Sequence, residues 1–524
     1  MKRILSLLLC FCLIAGLFSG CGEDPEAYVP TGDALVLEGQ DPEAMGPQEE
    51  EVIQEFALAY YPDRSMNPLT CNDFTNRTLF SLIYQGLFST NSKYESTPIL
   101  CRQFQVSPDN KIWTFYIENA TFSDGSVLTL NDVLATYQAA KDSDYYGGRF
   151  THISDIAINE KGGITFYLST PYENLPLLLD IPILQAEELE SQYPLGTGPY
   201  VLQKTMSGAQ LQRRENWWSQ KKILVNAKTI PLVVGHSPSQ IRDEFEFSDV
   251  GLVCADPGMS SYADFRCDFE LWDYDNGVLL FLGCNVNYSD VFMESGMRSA
   301  LTYAINREYI VEEIYRGLAK STTLAASPRS PYYSATLAER YPYDPMIFVD
   351  ALSKYVNDKG VIMENVTLLV NSDDSMRLRT ARAIVQMLSE CGLPIVTDEQ
   401  NSSGFHTKLV RGEYDLYLAQ TKLPPNMDLS EFFRPYGELS RNGISDANLF
   451  TLCKSALANR GNYFDLLKAV ADDGRICPLL FSGHFVYANR GLLTDLAPSR
   501  DNVFYYSLGK TMADIQIPTD YSSD

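Results

Sequence analysis

The sequence predicts an α/β protein built from several mixed sheets. Apolar runs and amphipathic stretches alternate along most of the chain, as they do where helices cover sheets. Some of the apolar runs are continuous, which suits strands buried on both faces. The order "VTLLV", "SMRLRTARAIVQMLSECG", "LPIVTDE" is strand, helix, strand, for which a right-handed parallel crossover is expected. With 524 residues, the chain is long enough for two or three domains around large cores.

The elements follow in order. Lys2 and Arg3 precede an uncharged apolar run, Ile4 to Phe18. Fifteen residues at about 1.5 Å each span about 22 Å, short of a hydrocarbon core of about 30 Å. This reads as the apolar region of an export signal, residues 1–20. Ser19, Gly20 and Cys21 follow, and they resemble a bacterial lipobox, in which the cysteine becomes the lipidated first residue. Phe18 stands where leucine is usual, with Leu17 one place further back. From Gly22 to Glu51 there are ten acidic residues, four prolines and no lysine or arginine. Such a segment, 21–53, buries too little to order itself and reads as a solvated tether.

The folded part begins near Gln54. "EFALAYY" reads as a strand and "FTNRTLFSLIYQGLF" as a helix. "WTFYIE" and "ITFYLS" alternate like half-buried strands. Between them, Thr129 and Asp132 have capping-box spacing and predict the start of a helix in "TLNDVLATYQAAKD". "TIPLVVG", "DVGLVCAD" and "VLLFLGCNVN" are further strands. "VFMESGMRSALTYAI" and "REYIVEEIYRG" read as helices, the second stopped by Gly317. Ala381, Ile384, Val385 and Leu388 mark one face of the helix that Gly392 ends. "YDLYLAQ" and "CPLLFSG" are strands, with the helical "FDLLKAVADDGR" between them.

Charge and cysteine usage narrow the function. The formal net charge is −26, and −28 once Lys2 and Arg3 are removed. So acidic a surface repels nucleic acid. No later segment offers 18 consecutive apolar residues. Eight cysteines lie beyond Cys21 with no Cys-x-x-Cys spacing, and most sit in apolar runs, as buried free thiols do. An exported chain also has room for one or two disulfides, and Cys254 with Cys267 is the closest pair in sequence.

Motifs for chemistry are few. The sequence has no phosphate loop, no His-Glu-x-x-His and no Gly-x-Ser-x-Gly. His152, His236, His406 and His484 are far apart, so no metal site and no cofactor is expected. Asp472 and Asp473 are adjacent, and neighbours on a helix do not face each other. An exported chain without a visible reaction centre points to binding and not to catalysis.

Several stretches then add up: "FSDGSVLTLNDVLATYQAAKD" (122–142), "GTGPYVLQK" (196–204), "ENWW" (215–218), "MRSALTYAINREYIVEEIYRG" (297–317) and "LVRGEYDLYLA" (409–419). In this order they resemble the extracellular solute-binding proteins of ABC importers, family 5, the oligopeptide, dipeptide and nickel class. The resemblance covers roughly residues 54–510. Most of these motif residues also have a structural reading, as turns and helix caps.

The resemblance implies a two-lobe fold of the periplasmic-binding-protein type, class II, with an extra subdomain in lobe I. Projected here, lobe I is 54–75, 181–281 and 486–524, the subdomain 76–180, and lobe II 282–485. It implies capture of a small solute, peptide or peptide-like, in an interlobe cleft, and delivery to an ABC permease. It also implies a monomer held on the outer face of the cell membrane by lipid at Cys21. An exported hydrolase or a ligand-sensing lipoprotein on the same scaffold is the alternative.

By the same resemblance four stretches face the cleft. They supply Met66 and Asn67; Tyr145, Tyr146 and Arg149; Thr421, Lys422 and Asn426; and Phe481, Ser482 and His484. Peptide-binding members place an acidic residue after the third of these strands, for the peptide's amino terminus. The register here puts Pro425 there, with Asp428 three places on. A buried ammonium without a counter-charge costs several kcal/mol, so recognition of a free amine is not expected; Lys422 either meets an anionic group or is a solvated loop lysine.

Overall fold

A long path of paired strands runs through the whole folded chain. The computed structural model describes residues 57–503, apart from 206–207, 224, 226, 256–264, 357–364, 442 and 492–495. Residues 1–56, with the apolar run expected to be an export signal, Cys21 and the acidic segment, and residues 504–524 therefore lie outside the described residues.

Strand β1 (Leu58–Tyr60) leads into two short helices, Phe74–Thr78 and Phe80–Ile83. A single longer helix is expected from the apolar pattern here. Instead the chain turns extended at Tyr84 and continues into β2 (Phe88–Thr90), paired with β3 (Ser96–Pro98). Gly86 permits this path, because a Cβ there would lie 2.8 Å from the backbone of Asp180.

The strands β4 (Cys101–Val106), β5 (Ile112–Ile117), β6 (Ile153–Ile158) and β7 (Ile164–Leu168) form a separate antiparallel sheet, in the order β4-β5-β7-β6. Helix Leu130–Ala140 packs against it. The expected capping box is present: the Thr129 side chain accepts from the Asp132 backbone, and the Asp132 side chain accepts from the Thr129 N–H.

The chain then returns through β8 (Tyr200–Thr205), β9 (Gly208–Arg213), β10 (Thr229–Val234) and β11 (Leu252–Ala255). β1 lies parallel to both β10 and β11. Two long strands follow: β12 (Phe269–Cys284), and at the end of the path β17 (Ile476–Asn489), which pair antiparallel along most of their length. Between them come β13 (Ala319–Ser321), β14 (Val366–Asn371), β15 (Ile395–Gln400) and β16 (Leu416–Lys422). The strand order is β15-β14-β16-β12-β17-β11-β1-β10-β9-β8. The β14 and β15 pair is parallel, joined by helix Ser375–Glu390 as the strand-helix-strand pattern predicts.

β12 and β17 thus belong to two packed bodies. At one end, Trp272 is opposite Val486, beside β11; at the other, Leu282 is opposite Cys477, beside β16. Side chains of β12 alternate between two cores. Leu280 and Leu282 pack with Phe292, Ile384 and Leu416, whereas Leu279 and Phe281 pack with Tyr417, Phe432 and Leu467. This two-sided burial is why the run reads as continuously apolar. In the other body, Tyr60, Tyr200 and Ile230 share a core with Phe115 and Phe166 of the four-stranded sheet and Tyr137 of the helix that covers it.

The stretch 307–317 is less regular than its sequence suggests. An α turn, Arg307–Tyr309, continues as a π turn, Ile310–Ile314, before Gly317 adopts a left-handed conformation. All eight cysteines among the described residues are free thiols, Cys254 and Cys267 included, and six of them are buried. No helix among the described residues is long and apolar enough to cross a membrane.

Candidate functional site

The site begins at the end of β16. Its pairing with β12 sets Thr421 opposite Leu279 and Lys422 opposite Val278, at the edge where the two bodies meet. From the other body, the segment before the 3₁₀ turn Gly147–Phe150 brings Tyr145 and Tyr146, and the turn itself brings Arg149. Ser143 anchors that segment by donating to the Leu69 carbonyl at 2.7 Å.

These groups converge on one carboxylate, Asp501. Lys422 Nζ lies 2.6 Å from its Oδ1, Tyr145 donates to the same oxygen at 2.6 Å, and Arg149 Nη2 lies 2.9 Å from Oδ2. Arg149 also pairs with Asp180, and Lys422 Nζ contacts the Tyr145 hydroxyl. Arg77 stacks on the Tyr145 ring, 3.4 Å from its centroid, and donates to the Tyr146 hydroxyl at 3.1 Å. Tyr146 packs edge-on against Tyr145, with ring centroids 4.9 Å apart.

The electrostatics follow from burial. Burial pushes the Asp501 carboxyl up, but Lys422, Arg149 and Arg500 outweigh it and hold the group well below the usual carboxylate range. Burial brings the Lys422 ammonium down to about 7; Asp501 opposes that shift, while Arg500 and Arg77 add to it.

A cavity of about 150 Å³ opens beside this cluster. Tyr145, Arg149, Thr421, Lys422, Asp428 and Arg500 line it, among others. Along its rim a second polar seam joins the bodies. His152 Nε2 lies 2.8 Å from Ser430 Oγ and 3.3 Å from Asp428 Oδ2, and Thr151 donates to Glu431 at 2.6 Å. Burial raises the Asp428 carboxyl, yet His152 and Ser430 bring it below its ordinary value.

The cavity therefore gathers Tyr145, Arg149, Thr421 and Lys422 from the sequence expectation. Tyr146 stands behind Tyr145. Asn426 is buried in the next loop, where its carbonyl accepts from Tyr463 and its side chain accepts from the Asp428 N–H. Phe481 packs into the core beside Leu279 and Phe281. Ser482 borders a much smaller pocket beside Arg329. His484 is half-buried between Phe74, 4.0 Å away by ring centroids, and Tyr274; desolvation drives its imidazole down to about 3, and Lys422 adds to the shift.

Met66 and Asn67 are not brought to this cavity. Asn67 spends its amide on its own body, donating to the carbonyls of Leu189 and Ser191 and accepting from the Leu69 N–H. Met66 borders a separate cavity of about 290 Å³ with Ile83 and Tyr193. Arg77, Asp180, Arg500 and Asp501 were not singled out by sequence. Asp501 lies 352 positions from Arg149, and no local spacing marks such a pair. Among the described residues, no group of three or more His, Cys, Asp or Glu is placed to hold a metal ion.

Comparison with known proteins bears on this arrangement. The family described as bacterial extracellular solute-binding proteins, family 5 middle, matches residues 95–443. The dipeptide-binding protein of Escherichia coli K12 is 21% identical over 465 residues, covering 79% of this chain and 81% of that protein. The glutathione-binding protein GsiB of Salmonella typhi is 21% identical over 353 residues, covering 63% of this chain. The chain spans just under two thirds of that relative's length, 66%. Among solved structures, the ABC transporter substrate-binding protein CtaP of Listeria monocytogenes superposes with a TM-score of 0.71 at 17% identity, covering 87% of this chain and 98% of that one. The likeness establishes the two-lobe α/β fold.

Proposed function

Because the chain belongs to the family 5 bacterial extracellular solute-binding proteins, we propose that it captures a small solute between its two lobes and hands it to an ABC permease. The solute is peptide or peptide-like, in keeping with relatives named for dipeptides and for glutathione. No bond in it is made or broken. The observation that carries this reading is the cavity walled by Tyr145 and Arg149 from one side and Thr421 and Lys422 from the other. A solute there touches both lobes, so it binds the shut arrangement better than the open one and shifts the population toward it.

In this reading lobe I comprises 54–75, 181–281 and 486–524, with 76–180 as its subdomain and 282–485 as lobe II. β12 and β17 are the hinge crossings. Lipid on Cys21 and the acidic segment after it keep a monomeric receptor near the permease on the outer face of the membrane. One acyl chain gives only marginal anchoring, so the modification carries more than one.

A dissociation constant of about 1 μM corresponds to about −8 kcal/mol, within reach of enclosure and a few polar contacts. A thermal-shift screen of di- to pentapeptides, amino acids, sugars and metal chelates tests the reading. Concentration-dependent stabilisation by a peptide class is expected; no stabilisation by any of them counts against it.

A further inference from the structure

Two side chains of the 76–180 subdomain sit in the core of the opposite body. Leu177, in the 3₁₀ turn Leu175–Leu178, is 0% exposed and packs in the cluster of Tyr332, Met427 and Leu466, whereas Leu175 and Leu178 beside it belong to the core of their own body. Tyr94 joins the same cluster, although Leu87, Phe88 and Leu100 around it pack in their own body. Its phenol faces Ser327 as well as Asp275. Tyr94 also has φ +62°, a left-handed conformation that bulky residues rarely adopt. Around Leu177 the contact widens. Tyr172 lies beside Tyr332 and Tyr463, and Glu173 accepts from the Arg460 N–H at 3.1 Å. Each of these contacts reaches 282–485, so each is broken when the lobes part.

The chemistry of the contacts decides what they do. Polar pairs across the seam, such as Thr151 with Glu431, exchange water for protein partners and tip the balance little. An apolar side chain withdrawn from water tips it more: full burial of a leucine shifts an equilibrium by roughly ten- to a hundredfold. Resting on the lobe assignment of the solute-capture reading, we propose that Leu177, aided by Tyr94 and Tyr172, is a latch that holds the lobes shut before a solute arrives. All three stand apart from the residues that line the interlobe cavity. The latch stabilises the empty shut form and the loaded shut form alike. It therefore cancels from the affinity while it slows both entry and release. In a protein that rests open, the same contacts exist only in the loaded form, and losing them weakens affinity through faster release alone.

Small-angle X-ray scattering of the full chain without solute gives the first readout. Leu177→Asp, which puts a carboxylate where the shut form is apolar, should have a larger radius of gyration than the natural protein. Adding Ala-Ala should leave the natural radius unchanged. The milder Leu177→Ala guards against a fold defect, checked by cooperative unfolding in urea. Without solute, its hydrogen exchange in the 172–177 and 330–333 segments should be about tenfold faster than in the natural protein, with β14 unchanged. In stopped flow with Ala-Ala, Leu177→Ala should raise the association and dissociation rates together by about tenfold or more, and change the dissociation constant by less than about threefold.

Equal radii for the natural protein and a folded Leu177→Asp overturn the proposal, as does exchange in Leu177→Ala that matches the natural protein. A natural radius that shrinks on adding Ala-Ala, or a dissociation rate that rises alone in Leu177→Ala, also overturns it and leaves solute capture standing. A larger Leu177→Asp radius with no binding of Ala-Ala supports the latch and counts against the peptide-like solute.

Discussion

Asp501 is the residue on which the site turns. Three cations and a tyrosine depend on it, and its removal strands them. For D501N the loss of one partner in a buried ionic network predicts a destabilisation of about 3–5 kcal/mol near neutral pH, read by urea denaturation. The pH dependence follows from the direction of its shift. The carboxyl is held below its ordinary 3.8, so its contribution is whole above that value and is lost as pH falls through the folded-state value. The gap between natural protein and D501N should therefore not narrow as pH falls from 6 to 5 and should close only in strong acid. Lys422 acts the other way. Its pKa falls from 10.5 to about 7 with Asp501 beside it, so in the natural protein the cost of burying its charge is full below about 7 and eases as pH rises toward 10.5. A gap that narrows between pH 6 and 5 would contradict the role given to Asp501. At this scale the sequence was informative only where a motif existed. Tyr145, Arg149, Thr421 and Lys422 sit near stretches that a family resemblance can align. Arg500 and Asp501 follow no pattern, because what makes them functional is a meeting with residues far away in the chain.

Among the elements, β12 carries the most consequence and was the least completely legible. Only its apolar half, from Val278 on, looks like a strand. The half before it, "FELWDYDNG", is polar and ends in what reads as a turn. In the fold that turn is a bulge inside the strand, with a register shift between Asp275 and Val278. Tyr94 donates to Asp275 there, and the Gly277 N–H donates to the same side chain at 2.7 Å. Gly277 has φ +72°, and a Cβ on it would lie 1.9 Å from Arg500 Nη1. G277A therefore combines a left-handed backbone strain of roughly 1–2 kcal/mol with eviction of the guanidinium. It should lower stability and should weaken solute binding, measured by calorimetry, by more than the loss of folded protein accounts for. Unchanged binding by the folded fraction would detach the bulge from the site. By contrast, the helix after Thr129 was legible because its signal is local: cap, partner and apolar face lie within a few residues of one another. The helix expected from Phe74 stops short at Ile83 for a non-local reason, the close approach of Gly86 to the Asp180 segment.

At the largest scale, the described residues form two α/β bodies that share β12 and β17, with a charged cluster at the seam of a strongly acidic chain. Alternation of strands and helices made the class visible, and the continuous apolar runs announced sheets covered on both faces. What stayed hidden was the closing of the cleft, since interlobe contacts such as His152 with Asp428 and Thr151 with Glu431 join segments separated by hundreds of residues. The central claim is that this seam encloses a guest and releases it unaltered. Native mass spectrometry of protein purified without denaturation tests it most directly. The account predicts a discrete small-molecule adduct that leaves with its mass unchanged on unfolding and is missing from a K422A, R149A double variant. No adduct after incubation with any candidate solute, or a solute recovered with a changed mass, would contradict it.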